Sequence, residues 1–351
     1  MTIRAFSRNK SSTVAALAFL CLVALLAKSN NLFTLKKPSL YQQLNLAFGE
    51  PYQYGEEIDF RIIVITFKRA KSLLVLLESI NNIELDGDTG ALEIWIDRNK
   101  RGQADNRTVE IATSFHWKNG PTRVHVHRTH VGIYGQWINT WRPKSFTSKE
   151  IVLFLEDDMN VSKYCYRWLK RVHTFFETSA IFAGATLQSD NLKSQAGLLK
   201  PLRTPKNHTI FMNKFFGPWG FSPNAAVWTR FQNWVRVQSK DRKFCPCVPG
   251  LSSTMWYKRF RKQRTDDSMW SVWFIYYAYI EKLFTVYNNL NAYNRDLKSC
   301  LSINRREDGL HYKGGYNGNQ FRLLSSWKEE YAHFPERLIK FDWNGSSIDK
   351  Y

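Results

Sequence analysis

The sequence predicts an α/β fold in which a doubly wound, mixed sheet is flanked by helices. The first observation is a set of largely apolar runs, the pattern of strands that are covered on both faces. These runs are 61–67, 91–97 and 151–155. The second observation is that segments with helical spacing of apolar residues lie between the runs, since strand–helix alternation is typical of parallel sheets. The third is that charged residues follow each run, where ligands of such sheets bind.

The elements can be taken in order along the chain. The first strand, over 61–67, is followed by a helix over 70–82, where Leu73, Leu77 and Ile80 recur at helical spacing. The rest of the first half continues with strands over 91–97, 122–128 and 151–155 and helices over 108–117 and 134–141. The second half is less regular, with a helix over 162–177, a strand over 181–187, a polar loop region over 190–215 and a helix over about 267–282.

The charge of the chain limits the classes of partner. Its 351 residues include 50 Lys and Arg against 30 Asp and Glu, a formal net charge of +20. Such a field attracts anions, namely nucleotide phosphates, acidic glycans, anionic lipid headgroups or nucleic acid. Zinc-finger spacing and RNA-recognition signatures are absent, which argues against nucleic acid. The basic residues are spread along the chain, with one dense run over 258–264, and a solvated surface is the favoured interpretation of most of the charge.

The N-terminal region predicts export. Basic residues over 1–10, interpreted as a cytoplasmic tail, precede an uncharged, largely apolar stretch over 11–27. That stretch is a signal-anchor or a signal peptide. Basic residues lie on both sides, so the positive-inside rule leaves the orientation open. Residues 28–57 read as a stem, and the expected location is the Golgi or endoplasmic reticulum membrane with a luminal catalytic domain, or the exterior if the segment is cleaved.

Cysteines and glycosylation sequons agree with export. Beyond the apolar stretch the chain has Cys165, Cys245, Cys247 and Cys300, an even number that permits two disulfides in three connectivities. We expect Cys245 and Cys247 each to pair elsewhere, because a bridge between them would be tight. Sequons occur at Asn106, Asn160, Asn207 and Asn344, and we expect the one at Asn160 to be unused.

The sharpest chemical feature is the triplet Glu156-Asp157-Asp158, which directly follows an apolar strand. Three clustered carboxylates repel one another and favour a bound cation. Hard oxygen ligands suit Mg²⁺ or Mn²⁺ bridging a diphosphate. The alternative is a solvated turn, or acids that cap the next helix.

The triplet, together with Arg69 after the first strand and Asp97 at the end of the second, resembles the GT-A fold of nucleotide-sugar transferases. Within it, the N-acetylglucosaminyltransferase I type has a Glu-Asp-Asp metal motif, and the resemblance covers roughly residues 58 to 315. It implies that Asp158 coordinates Mn²⁺ (or Mg²⁺) directly. It also implies a nucleotide-sugar-binding half over 58–160 and an acceptor-binding and catalytic half over 161–345.

Further roles follow from the same resemblance. Arg69 would contact the donor phosphates and Asp97 the uridine or ribose. The expected donor-binding residues are Thr66, Phe67, Arg69, Asp97, Glu156, Asp157, His311 and Lys313. On the acceptor side the resemblance places Trp219 and Gly220. The alternative is that these residues only form a packed aromatic turn.

The same resemblance implies that the catalytic base is Asp266 or Asp267, which precede a Trp-bearing helix. The alternative is that they occupy the first turn of that helix after the cap Thr265. His311 resembles the late histidine of many GT-A enzymes, which implies contact with metal or diphosphate from a loop. The alternative is a structural or solvated loop histidine.

The resulting hypothesis is a metal-dependent, inverting glycosyltransferase. It would move a sugar, with N-acetylglucosamine the first choice, from a UDP-sugar to a glycan or glycoprotein acceptor. In one form of this hypothesis the acceptor is an anionic glycan. The N-terminal segment is expected to contact the membrane. The alternative is a non-catalytic glycan-binding protein on a transferase-like fold. A metal-dependent phosphotransferase or hydrolase would usually need more acid or histidine ligands.

Overall fold

A computed structural model describes residue 54 and residues 57–189, 192–195, 198–265, 269–293, 299–305 and 322–348. The predicted tail, the apolar stretch and nearly all of the stem lie outside these ranges. Within them, no helix combines the length and the apolar character needed to cross a membrane.

The described residues form a mixed α/β fold. In the first half the elements are β1 (Phe60–Thr66), α1 (Ala70–Asn81), β2 (Gly90–Ile96), α2 (Asn106–Ser114), β3 (Thr122–Val126), α3 (Gly132–Asn139), β4 (Ile151–Glu156), β5 (Met159–Val161) and α4 (Cys165–Phe175). The next elements are β6 (Phe182–Thr186), β7 (Leu192–Gln195), β8 (Leu198–Pro201), β9 (Ile210–Asn213), β10 (Phe221–Pro223), α5 (Ala225–Gln238), α6 (Ser252–Lys262) and α7 (Ser271–Ile280). The last are β11 (Phe284–Asn288), α8 (Leu290–Tyr293), β12 (Ser299–Cys300), β13 (Ser302–Asn304), β14 (Arg322–Leu323), a 3-10 turn (Glu329–Ala332) and β15 (Lys340–Phe341).

A nine-stranded sheet in the order β15-β9-β11-β6-β10-β4-β1-β2-β3 forms the centre. β4, β1, β2 and β3 run parallel, as the apolar runs predict. The sheet becomes mixed at β10, which is antiparallel to both β4 and β6, and again where β9 pairs antiparallel with β11. The predicted fold class, a mixed sheet flanked by helices, is confirmed.

Helices cover both faces of the sheet, and the side chains of β1 show why. Phe60, Ile62 and Val64 point into a core shared with α1, α2 and α4. Ile63 and Ile65 point into a second core, rich in tryptophan and phenylalanine, shared with α3, α5, α6 and α7. Since alternate residues of a strand face opposite sides, both sets must be apolar when both faces are covered.

The prediction of a polar loop region over 190–215 is wrong in part. The β-hairpin β7–β8 and the sheet strand β9 lie in this region. Each has only four residues, too few for an alternation of polar and apolar side chains to stand out. β9 is wholly buried because it lies inside the sheet between β15 and β11.

The prediction for the cysteines is wrong in two respects. Cys245 and Cys247 are joined to each other, and Cys165 and Cys300 are buried and take no part in a disulfide. The chain turns at Pro246, where the Cys247 amide donates to the Cys245 carbonyl at 2.8 Å. The two Cα atoms therefore lie 5.3 Å apart, within the usual span of a disulfide.

A half-buried histidine makes the fold sensitive to acid. His173, on α4, packs against the sheet, where its Nε2 lies 2.7 Å from the Ser222 hydroxyl, and the loss of water around its ring lowers its pKa to about 4. The unfolded chain takes up the proton near pH 6.5, so stability from this group is full above that pH and is lost as the pH falls toward 4.

We therefore expect a smaller acid-induced loss of stability in His173→Gln. Between pH 7.5 and 4.5 the variant should lose about 2 kcal/mol less free energy of unfolding than the parent. Denaturant unfolding at the two pH values measures this difference. Equal losses in the two proteins would show that His173 does not contribute.

Candidate active site

The candidate site lies where β1, β2 and β4 end. β1 pairs in parallel with both neighbours, so Ile65 is opposite Glu156 and Thr66 is opposite Ile96. The carboxyl ends of all three strands therefore meet at one edge, beside the start of α1. The structure brings Thr66, Arg69 and the acidic triplet together at this edge, as the strand ends predict.

Asp157 forms the floor of the site. Its side chain is buried, one carboxylate oxygen accepts a hydrogen bond from the Thr66 hydroxyl at 2.7 Å, and the other pairs with Arg69. The Asp157 carbonyl accepts a bond from the Ser72 hydroxyl at 2.9 Å. Burial raises the pKa of Asp157 to about 6, although Arg69 and Thr66 act in the opposite direction. Both of its oxygens are thus occupied by the protein.

Asp158 lies above this floor and is held from two sides. Its Oδ1 accepts a hydrogen bond from the Asn304 amide at 3.1 Å, and its Oδ2 lies 3.3 Å from a guanidinium nitrogen of Arg69. Its carbonyl accepts a bond from the Arg305 main-chain amide at 2.7 Å. The carboxylate is therefore oriented by Arg69, just before α1, on one side and by Asn304 of β13 on the other.

Glu156 is half-buried at the end of β4. One carboxylate oxygen accepts a bond from the Trp137 indole at 3.0 Å, and Trp137 stacks on Trp270 with ring centroids 4.1 Å apart. Burial, followed by the charge of Asp158, raises the pKa of Glu156 to about 7. Burial and the neighbouring carboxylate therefore both disfavour the charged form of Glu156, and a nearby cation would favour it.

Asp97 has a different environment from the triplet. It is 3% exposed, and its two oxygens accept bonds from the Val131 and Gly132 amides, both at 2.9 Å. His130 approaches it at 3.0 Å, and this hydrogen bond raises the pKa of His130. Asp97 thus holds the start of α3 against the end of β2, and its contact with uridine or ribose stays a prediction.

The acceptor-side residues lie in a turn before β10. Gly220 has a φ of +71°, and an added Cβ would meet Leu187 at 2.9 Å, so the position requires glycine. The Trp219 carbonyl accepts a bond from the Thr186 hydroxyl at 3.2 Å, and its ring packs partly against the first core. The packed turn is therefore present, and contact with an acceptor stays a prediction. Phe67 is half-buried at the end of β1 beside Lys68.

Four of the predicted residues lie outside the described residues, namely Asp266, Asp267, His311 and Lys313. Trp270, close after the predicted base in sequence, is buried against Trp137, the partner of Glu156.

Sequence reasoning missed Asn304 and Arg305. The Arg305 guanidinium donates to the carbonyls of Ser72, Asp157 and Met159, each at 2.8 Å. It also contacts the side chains of Ser72 and Asn160. The two residues stand in the segment that carries His311, but no local signal shows that they reach partners more than a hundred positions away.

The carboxylates of the site offer few protein ligands to a divalent cation. Across the ranges that the structure describes, no group of three His, Cys, Asp or Glu side chains is placed to hold a metal ion. Mg²⁺ and related ions, however, often take only one or two carboxylates and complete their shell with water and substrate phosphates. The carboxylate of Asp158 fits a site of that kind, because it lies beside Glu156, whose pKa is raised by burial and by the charge of Asp158.

Comparison with known proteins gave matches among solved structures. No protein-family model and no curated protein matches the chain. Among solved structures, a fragment of TarS from S. aureus, residues 1–349, is 15% identical with a TM-score of 0.32 and covers 47% of each chain. A second structure of S. aureus TarS is 14% identical with a TM-score of 0.28, over 50% of this chain and 33% of that one. The chain thus matches less than half the length of these neighbours.

Proposed function

We propose that this chain is a metal-dependent, inverting glycosyltransferase of the secretory pathway. It transfers a sugar, N-acetylglucosamine in the first instance, from a UDP-sugar to a glycan or glycoprotein. The cofactor is Mn²⁺ or Mg²⁺, and Asp158 is its protein ligand. The observation that supports this proposal most directly is the position of Asp158 at a sheet edge, with its carboxylate oriented by Arg69 and Asn304.

The residues at the sheet edge suit a nucleotide diphosphate. Arg69 has a half-buried guanidinium that already faces two carboxylates, so it is held in place before a donor arrives. In that position it offers nitrogen donors to phosphate oxygens. A bound divalent ion would neutralise charge on the departing nucleoside diphosphate. Glu156 and Asp157 add negative charge around the site, which favours the cation.

The proposed base is Asp266 or Asp267. One of these carboxylates would take the proton of the acceptor hydroxyl as that oxygen attacks the anomeric carbon, which gives inversion in a single displacement. Trp270, three or four positions further along the chain, supports this choice indirectly. Its stack on Trp137 lies one hydrogen bond from Glu156, so the start of α7 is beside the triplet.

Donor turnover tests the proposal. The full chain is incubated with a panel of nucleotide sugars and Mn²⁺, and release of nucleoside diphosphate is measured with and without EDTA. We expect release from one UDP-sugar that EDTA abolishes and added Mn²⁺ restores, because the diphosphate charge needs the cation. Absence of release from every donor, in the presence and absence of an acceptor glycan mixture, would overturn the proposal.

The alternative, a glycan-binding protein without activity, predicts a different result. It requires glycan binding that is independent of Mn²⁺ and no diphosphate release. The bonds that orient the Asp158 carboxylate favour the enzyme, because glycan binding alone does not require an acidic triplet in which the pKa values of Glu156 and Asp157 are raised.

A further inference from the structure

We propose that helix α6, together with the turn before it, is a docking surface for an anionic lipid membrane. The helix spans Ser252–Lys262. This surface lies on the face of the sheet that carries the second core. The proposal does not depend on glycosyl transfer.

The helix separates its residues by face. Ser253, Thr254 and Tyr257 are buried against the second core. The outward arc exposes five residues, two of them apolar and three cationic: Met255, Trp256, Lys258, Arg259 and Lys262. Met255 is 55% exposed and Trp256 is 38% exposed. A helix with a basic polar face beside exposed tryptophan and methionine is typical of an interfacial membrane helix.

The neighbouring turn extends the positive charge. The side chain of Arg261 donates to the carbonyls of Phe244 and Arg242, so the turn packs beside the end of α6. Residues 236–264 contain nine Lys or Arg against a single acid, Asp241. That acid accepts a bond from the Lys243 amide within its own turn, at 2.8 Å. The local field is therefore strongly positive, which complements anionic headgroups.

A lipid surface explains both the cationic and the apolar side chains of the outward arc. An acidic polysaccharide would use the cations but would give the Met255 side chain no apolar partner. At a membrane interface, lipid headgroups can contact the three cationic side chains, and acyl chains can contact Met255 and Trp256. The helix has 11 residues and is about 16 Å long, roughly half the thickness of a bilayer core, so it suits lying in the interface and not spanning it.

Tryptophan fluorescence gives a direct test. All 13 tryptophans lie within the described residues, the first of them is Trp95, and Trp256 alone among them is exposed. The full chain is reconstituted into vesicles of phosphatidylcholine, with or without phosphatidylserine, that contain bromine-labelled phosphatidylcholine as a quencher. Residues 1–53 contain no tryptophan, so the N-terminal segment adds no signal.

We expect quenching that is strong only with phosphatidylserine and that Trp256→Phe removes. A triple variant, Lys258→Gln, Arg259→Gln and Lys262→Gln, keeps Trp256 and should also lose the phosphatidylserine-dependent quenching. The matched control is a second triple variant, Arg107→Gln, Lys118→Gln and Arg322→Gln. It removes the same charge from exposed sites outside α6 and should leave the quenching intact.

Three outcomes would overturn the proposal. The first is absence of phosphatidylserine-dependent quenching in the parent. The second is quenching that persists in both the Trp256→Phe and the triple variant, or that falls equally in the control. The third is retention of the parent and control, but not of the triple variant, on immobilised heparin without any lipid quenching, which would assign the arc to an acidic polysaccharide.

Discussion

Asp158→Asn is expected to lower nucleoside diphosphate release by about a hundredfold or more, while the protein remains folded. Loss of even an outer-shell partner of a metal site costs roughly 10- to 100-fold in affinity or activity, and Asp158 is the proposed ligand itself. Asparagine has nearly the same shape and its oxygen still accepts the bond from Asn304. Release measured over a series of Mn²⁺ concentrations, together with the free Mn²⁺ signal in electron paramagnetic resonance, checks this expectation.

Asp157→Asn is the matched control within the triplet. The oxygens of Asp157 face Thr66 and Arg69, so its replacement should leave most of the Mn²⁺ affinity in place. Equal loss of Mn²⁺ binding in the two variants would contradict the assignment of Asp158 as the ligand. Loss of activity in Asp158→Asn with unchanged Mn²⁺ binding would instead assign Asp158 to contact with the donor.

The parallel strands could be predicted from the sequence because both faces of each are covered. A strand between two cores cannot alternate polar with apolar residues, so β1 and β4 stand out as continuous runs, and the observed bounds lie within a residue of the predicted ones. The meeting of the strand ends then follows from parallel pairing alone. Glu93 is the exception inside β2, and it is tolerated because Arg61 pairs with it at 2.8 Å in the sheet.

The second half of the sheet could not be predicted in the same way. β10 has three residues and β9 has four, too few to show a period, and their pairing depends on segments far away in the chain. Asp97 shows the same limit at the level of one side chain. The sequence places an acid at the end of a strand, but only the fold shows that its oxygens receive the amides of Val131 and Gly132.

Arg305 is the clearest case of a site residue determined by tertiary structure. Its guanidinium joins α1, the acidic triplet and β5, because it satisfies the carbonyls of Ser72, Asp157 and Met159 at once. Its main-chain amide holds the carbonyl of Asp158. The planar fork of an arginine has the several donors in fixed directions that such a set of acceptors requires, and a lysine does not.

Arg305→Met is therefore expected to destabilise the fold by about 3 to 5 kcal/mol. Three carbonyls lose their hydrogen-bond donor together, and a methionine side chain has no donor to replace it. Denaturant unfolding at neutral pH measures the loss. Arg322→Met is the control, since Arg322 is exposed on β14, and it should change the free energy of unfolding by no more than about 0.5 kcal/mol. If the two variants were equally stable, the guanidinium of Arg305 would not hold the triplet in place. If Arg305→Met were destabilised and Arg305→Lys were as stable as the parent, a point charge would be sufficient and the geometry of the fork would be irrelevant.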